Sequence, residues 1–320
     1  MAERGVVAYW IEQPQDELIA AFRFSWGFTN LSKYVSTSRS SSVSEGSKLS
    51  ESHGHQTLRL ALWVLSSIAM SAIPTLSSIS AGASGNPNIL RILVTNDDGV
   101  TAPGINAAVQ ALRALPHSSV VVVAPLTNES GTGGRTTNGK LVVSRSHTAS
   151  VYPAIAVHGY PADTIRWAIT DHGVAHRPDL VVSGINFGQN IGPSVDGSGT
   201  VGAARAAASV GVPAIAVSQG IDNGQGPNFA QGASLLVRWV QARSPALIDH
   251  TFPVHSSVSL NVPTCPGRVH GPVLEPIATS ANGVNILQVN CNSTATTFRD
   301  DVQAFVNGYA VISPLGRASK

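Results

Sequence analysis

The stretch "RILVTNDDGVTAPGINAAVQALRAL", residues 91–115, changes character twice. The run Ile92 to Thr95 is apolar and β-branched, Asn96-Asp97-Asp98-Gly99 is a polar turn, and a helical stretch runs from Ile105 to Leu115. The sequence thus predicts a strand, a turn and a helix. The turn poses a chemical question. Asp97 and Asp98 repel each other, and neither carboxylate is easily buried without a partner. A cation would remove the conflict.

The same alternation recurs downstream. Apolar runs at 120–124 ("VVVVA"), 154–157 ("AIAV"), 180–183 ("LVVS") and 214–217 ("AIAV") are separated by helical stretches at 162–170, 203–210 and 229–243. Continuous apolar strands alternating with helices indicate a parallel sheet covered on both faces. The expected class is therefore α/β, a Rossmann-like parallel sheet flanked by helices. The helix at 229–243 is read as closing this catalytic domain, 90–243, and residues 244–320 as a smaller α+β extension.

Composition supports a folded core and excludes one function class. The chain has 320 residues, 43% hydrophobic and 12% charged, with a net charge of +2. That is ample for a core, whereas no basic run offers a surface for duplex nucleic acid.

Ligands bind parallel α/β sheets at the carboxyl ends of the strands. Four polar loops fall there: Asn96 to Gly99, "SGTGG" from Ser130, "GINFGQNIG" with Asn186 and Asn190, and "GSGT" from Gly197 to Thr200. Each alone is ordinary, since an Asp-Asp pair after a strand is commonly a turn and "GSGT" a helix cap. Their agreement at one sheet edge is the signal. Two carboxylates, a hydroxyl and an amide oxygen suit a hard ion such as Mg²⁺ or Mn²⁺, and imidazole and thiolate are absent from these loops. The Ser198-Gly199-Thr200 turn at a helix start is an anion site in type. A cation site beside an anion site points to phosphate-ester hydrolysis.

Four segments, "ILVTNDDGVTAPGI", "VVAP…SGTG", "PDLVVSGINFGQNIG" and "SGTVGAARAAASVGVPAIAVS", resemble the SurE family in order and spacing. These are stationary-phase survival proteins, metal-dependent phosphatases acting on nucleoside monophosphates. "GYPADTIRWAI" and "DVQAFVNGYAVISPL" are similar to two further family segments, so the likeness covers about Leu90 to Leu315. It implies metal ligands at Asp97, Asp98, Ser130 and Asn186, with one of the two aspartates orienting water. It implies phosphate contacts at Asn96, Gly131, Ser198, Gly199 and Thr200. It also implies a homodimer or homotetramer with C-terminal segments exchanged, and a small nucleotide or phosphate ester as substrate. Rival activities on the same site are a broad acid-type phosphatase, an exopolyphosphatase, or a weakly active metal- and nucleotide-binding protein. Where the family has Asp-Asp-Val-x-Tyr before Ser-Gly-Thr, this chain has "PSVDG", and where the family often has Asp-Arg it has Leu126-Thr127.

The resemblance does not reach residues 1–89. Residues 1–57 are rich in Ser and read as disordered. Residues 58–89 resemble a signal peptide and linker: Arg59, an apolar core over Leu60–Ile73, and Ala81-Gly-Ala83 as a cleavage site. With 57 residues ahead of it this is no ordinary leader, unless translation starts nearer Leu58. Export or membrane tethering is the expectation, with a cytoplasmic chain as the alternative. Cys265 and Cys291 form no CxxC pair, so zinc is not indicated. A disulfide and two free thiols both remain open.

Overall fold

The computed structural model describes residues 89–221, 226–281 and 283–316. The leader-like segment and the Ser-rich stretch before it lie outside the described residues. Among the described residues no helix is long and apolar enough to cross a membrane.

Nine strands form one sheet. They are β1 (Leu90–Thr95), β2 (Ser118–Pro125), β3 (Val142–His147), β4 (Pro153–His158), β5 (Leu180–Phe187), β6 (Ala214–Gln219), β7 (Ser257–Val262), β8 (His270–Leu274) and β9 (Tyr309–Pro314). The order across the sheet is β3-β4-β2-β1-β5-β6-β7-β9-β8. The six central strands, β4 to β7, are all parallel to one another. Numbered in chain order among themselves, they run 3-2-1-4-5-6, the doubly wound order whose switch point lies between the first and fourth. Here that is the gap between β1 and β5. The outer strand β3 is antiparallel to β4 and β9 is antiparallel to β7.

The five apolar runs expected as buried strands are β1, β2, β4, β5 and β6. Every residue of β6 is buried, as are Leu180 to Asn186 of β5, because helices cover both faces. These helices are α1 (Pro103–Arg113), α2 (Pro161–Ile165, continuing as a π turn through Thr170), α3 (Gly199–Ser209), α4 (Phe229–Ile248) and α5 (Asp301–Val306). Helix α1 starts with proline at its first position, where no N–H bond is lost, and buries Ile105, Ala108, Val109 and Leu112. A Cβ on Gly104 would lie 1.8 Å from the carbonyl oxygen of Ile185, so α1 sits directly on β5.

Two boundaries differ from the sequence reading. Helix α4 does not stop at Arg243 but continues to Ile248, with Pro245 inside it. Proline inside a helix removes an N–H donor and commonly ends it. Instead, the Ser244 hydroxyl donates to the Val240 carbonyl at 2.9 Å, and the helix carries on. The smaller extension therefore starts after α4, and its strands β7, β8 and β9 continue the same sheet. Their small core of Ile191, Ala278, Val302, Phe305 and Val311 takes in a residue of the loop after β5. Cys265 and Cys291 are joined in a disulfide.

Candidate active site

The loops after β1 and β5 meet at the switch point. Adjacent residues leaving a strand point opposite ways, and Asp97 and Asp98 do so here. Asp97 faces α3: its Oδ1 accepts from the Thr200 hydroxyl at 2.6 Å and its Oδ2 from the Thr200 N–H at 3.0 Å. Asp98 faces β5, where its Oδ2 accepts from the Phe187 N–H at 2.9 Å. Gly99, at φ +101°, makes the turn, and its open side lies against the Thr127 main chain.

Ser130 and Asn186, the other two expected ligands, are each one residue from a direct bond to this pair. The Glu129 N–H donates to the Asp97 carbonyl at 2.7 Å, which ties the loop carrying Ser130 to β1. The Ser130 hydroxyl is exposed, while its N–H donates to Asn128 Oδ1 at 2.8 Å. Asn186 precedes Phe187 at a β-bulge in β5, and its Nδ2 donates to the Gly188 carbonyl at 2.8 Å.

The expected phosphate contacts are placed as follows. Ser198 caps α3, its hydroxyl accepting from the Val201 N–H at 3.2 Å. At Gly199 a Cβ would lie 2.8 Å from the Asp97 Cβ, so only glycine lets the helix start so close to the carboxylate. Thr200 commits both of its donors to Asp97. Gly131, at φ +77°, is exposed with open space where a side chain would be. Its loop is fixed to the α3 loop by the Gly133 N–H, which donates to the Gly197 carbonyl at 3.0 Å. Asn96 is fully buried and donates to the Gly99 carbonyl at 2.8 Å. That bond fixes the amide, leaving Oδ1 buried without a partner. The free atom is an acceptor, which suits a cation or a water proton rather than a phosphate oxygen.

The electrostatics indicate what kind of group the site suits. Among the described residues neither Asp97 nor Asp98 forms an ion pair. Burial pushes the Asp97 carboxyl above its ordinary range, against the lowering effect of the Thr200 bonds. Burial likewise pushes Asp98 up to about 6; the Phe187 N–H offsets this in part and the neighbouring Asp97 charge adds to it. Among the described residues no three His, Cys, Asp or Glu side chains gather as a metal cluster. An ion here must therefore use neutral oxygens as well. Two uncompensated carboxylates, an unpartnered amide oxygen and a nearby hydroxyl fit a hard divalent cation.

Several residues that shape the site were not expected from the sequence. The loop from Gln189 to Gly192 links Asn186 to α3 and is held largely by the C-terminal segment. Gln189 Nε2 donates to the Ile286 carbonyl at 2.6 Å. Asn261 Oδ1 accepts from the Asn190 N–H at 2.7 Å, while its Nδ2 donates to the Asn190 carbonyl at 2.9 Å. Buried Asp301 accepts from the N–H groups of Gly192 at 2.9 Å and Ala278 at 2.8 Å. Asn261 left little trace, as the one amide in a strand that also carries Ser257 and Ser259. Asp301 left none, because its partner is 109 positions away.

The family model for the survival protein SurE matches residues 92–282. This chain belongs to the SurE family. It is 42% identical over 188 residues to the 5'-nucleotidase SurE of Pelobacter propionicus, covering 58% of this chain and 70% of that one. It is 39% identical over 178 residues to the 5'-nucleotidase SurE of Geobacter metallireducens, covering 55% and 66% respectively. The SurE protein from Aquifex aeolicus superposes with a TM-score of 0.56 at 27% identity, covering 70% of this chain and 92% of that one.

Where the SurE pattern carries an acidic pair and a tyrosine, this chain has a 3₁₀ turn over Gly192–Val195, then Asp196 and Gly197. Val195 is buried, and exposed Asp196 pairs with Arg205 at 2.9 Å. A Cβ on Gly197 would meet nothing closer than the Ser194 carbonyl oxygen at 3.9 Å. The position of the family's tyrosine is therefore open.

Proposed function

We propose that this SurE-family chain is a metal-dependent phosphomonoester hydrolase that converts nucleoside 5'-monophosphates to nucleoside and phosphate. One observation carries the reading. Two adjacent carboxylates, with no cationic side chain as partner among the described residues, meet at the switch point of the sheet, buried Asp97 against the start of α3 and half-buried Asp98 against β5. Asp97, Asp98, Ser130 and Asn186 would hold the ion, with Mg²⁺ or Mn²⁺ the fitting choices. When bound, it supplies positive charge against phosphoryl oxygens and acidifies water.

The chain's own groups do the rest. Thr200 fixes the Asp97 carboxylate through both oxygens, so its direction does not depend on the ion. Asp98 has one oxygen held by Phe187 and the other free to orient water or take a proton. The exposed Gly131 loop and the α3 start supply main-chain N–H groups and the helix dipole for charge that gathers on the phosphoryl oxygens. The buried Asn96 Oδ1 orients a water proton or joins the ion's shell.

The test is turnover of AMP, GMP, CMP, UMP, p-nitrophenyl phosphate and polyphosphate with several divalent ions and after chelation. Preference for the mononucleotides, lost on chelation, is the expected result. Preference for polyphosphate, or binding without turnover, would replace this reading with one of its rivals.

The family also supports a homodimer or homotetramer. Val142 on edge strand β3 and Leu274 on edge strand β8 are exposed and available for such contacts. Export to an oxidising compartment is the third part of the proposal, and the Cys265–Cys291 disulfide supports it. Light scattering tests the first. N-terminal sequencing of the native protein tests the second, where an intact cytosolic chain starting at Met1 would end it.

A further inference from the structure

Phe187 is the one aromatic residue in the exposed class among the described residues, 55% exposed, and it lies at the site. Elsewhere an exposed phenyl ring calls for no comment. Here the position is constrained on every side. The Phe187 N–H holds Asp98 at 2.9 Å, Asn186 before it is a proposed ligand, and Gly188 after it is fixed by bonds to Gln219 and Asn186. The main chain of Phe187 therefore cannot move without disturbing Asp98.

The two aspartates also give the site a direction. Asp97 turns to the buried start of α3, where the phosphate end belongs, and Asp98 turns to Phe187. Phosphate cannot leave toward α3, which is sealed by Thr200, Gly199 and Pro161. The organic part of a substrate then extends toward solvent, where the open sides are the Gly131 and Gly197 loops and the Asp98 side, and the exposed aromatic is on the Asp98 side.

We infer that Phe187 is a stacking platform for the nucleobase of the substrate and determines its preference for nucleotides over other phosphate esters. This rests on the nucleotidase reading above. Stacking suits the empty wall at Gly197, because every base has a π-face and a platform needs no edge-specific contacts. The chain would then require a base while discriminating little between bases.

The test is the ratio of kcat/KM for AMP to that for ribose 5-phosphate, which lacks only the base, in the full chain with saturating divalent ion. Phe187→Ala keeps the main-chain N–H on Asp98 and should lower this ratio by about ten- to a hundredfold, the range for losing one base–aromatic stack. Phe187→Trp should restore it. An unchanged ratio in Phe187→Ala, or an equal loss on both substrates, overturns the inference. Calorimetric binding of AMP and ribose 5-phosphate to the same variants keeps the two readings separate. If the wild-type chain turns over neither compound, the nucleotidase reading falls. The platform still stands if Phe187→Ala abolishes a binding preference for AMP, and falls if there is no such preference to abolish.

Discussion

The part of the sheet built by β1 to β6 and the segment after Ile248 contribute to the site in opposite ways. The first part supplies every proposed ligand, from Asp97 to Asn186, at or just beyond the ends of buried parallel strands. The later segment supplies none, yet Asn261, Ile286 and Asp301 hold the loop that carries the chain from Asn186 to α3. One region provides the chemistry and the other its geometry. Damage to the first should abolish turnover and spare the fold, and damage to the second should do the reverse.

The largest expected effect tests the first half of that contrast. Asp97→Ala and Asp98→Ala should each lower kcat by about a thousandfold or more, roughly 4 kcal/mol at the transition state. Chelation should do the same to the wild type. Circular dichroism and melting should show a folded chain in each case. A variant keeping wild-type turnover would remove that aspartate from the site.

A smaller effect, in stability, tests the second half. Cys265 and Cys291 close a loop of 26 residues in the C-terminal segment. Opening it by Cys265→Ser with Cys291→Ser should destabilise the fold by about 3 kcal/mol, by the loop-entropy relation. Denaturant titration measures this. Turnover at low temperature should change by less than about threefold, or about 0.7 kcal/mol. A loss as large as that of Asp97→Ala would erase the distinction between the two regions.

The contrast also explains what was legible. The parallel core was readable because a strand buried on both faces must be continuously apolar and its helices must alternate with it. The place of Asp97-Asp98, Ser130 and Asn186 at the strand ends was legible for the same reason, whereas their role as ligands is what the SurE resemblance implies. The restraints from Asn261 and Asp301 were not, since these side chains bond main-chain groups far away in sequence and leave little local pattern. Helix α4 was cut short for a similar reason: proline usually ends a helix, and only its surroundings show where one is tolerated. Thr200 was chosen as a phosphate contact from its place at a helix start, and its bonds to Asp97 could not be seen there.

A pH experiment sharpens the account of the ligands. In the metal-free chain Asp98 titrates at about 6 against an ordinary 3.8, so between those values the folded state keeps a proton that the unfolded state has released. Folded stability should therefore fall as pH rises through this window and level off above it, by about 1–2 kcal/mol allowing for partial solvent access. Asp98→Asn should remove this group's share of the slope, leaving that of Asp97, which burial also pushes up, and make the metal-free chain more stable at neutral pH. Melting in EDTA from pH 4 to 7 decides this; an equally steep slope in Asp98→Asn would assign the effect to other groups.

The smallest effect concerns selectivity. With Gly197 facing open space, kcat/KM for AMP, GMP, CMP and UMP should agree within about tenfold, or about 1.4 kcal/mol. Gly197→Tyr should widen that spread without altering metal dependence. A hundredfold preference in the wild type would locate base-reading contacts elsewhere.

The two hydrogen bonds of Asp301 also have a consequence for the order in which the protein can be made. All proposed ligands have been synthesised by residue 200, about a hundred residues before the carboxylate that fixes Gly192. A chain still growing, or cut short before α5, carries the complete ligand set but leaves the N–H groups of Gly192 and Ala278 without their acceptor. The strand that pairs with β7 is missing as well. The hydrolytic centre is thus among the first parts to be encoded and the last to be completed. A truncated product should hold this loop poorly even with every ligand present, so a settled site marks a chain read past Asp301.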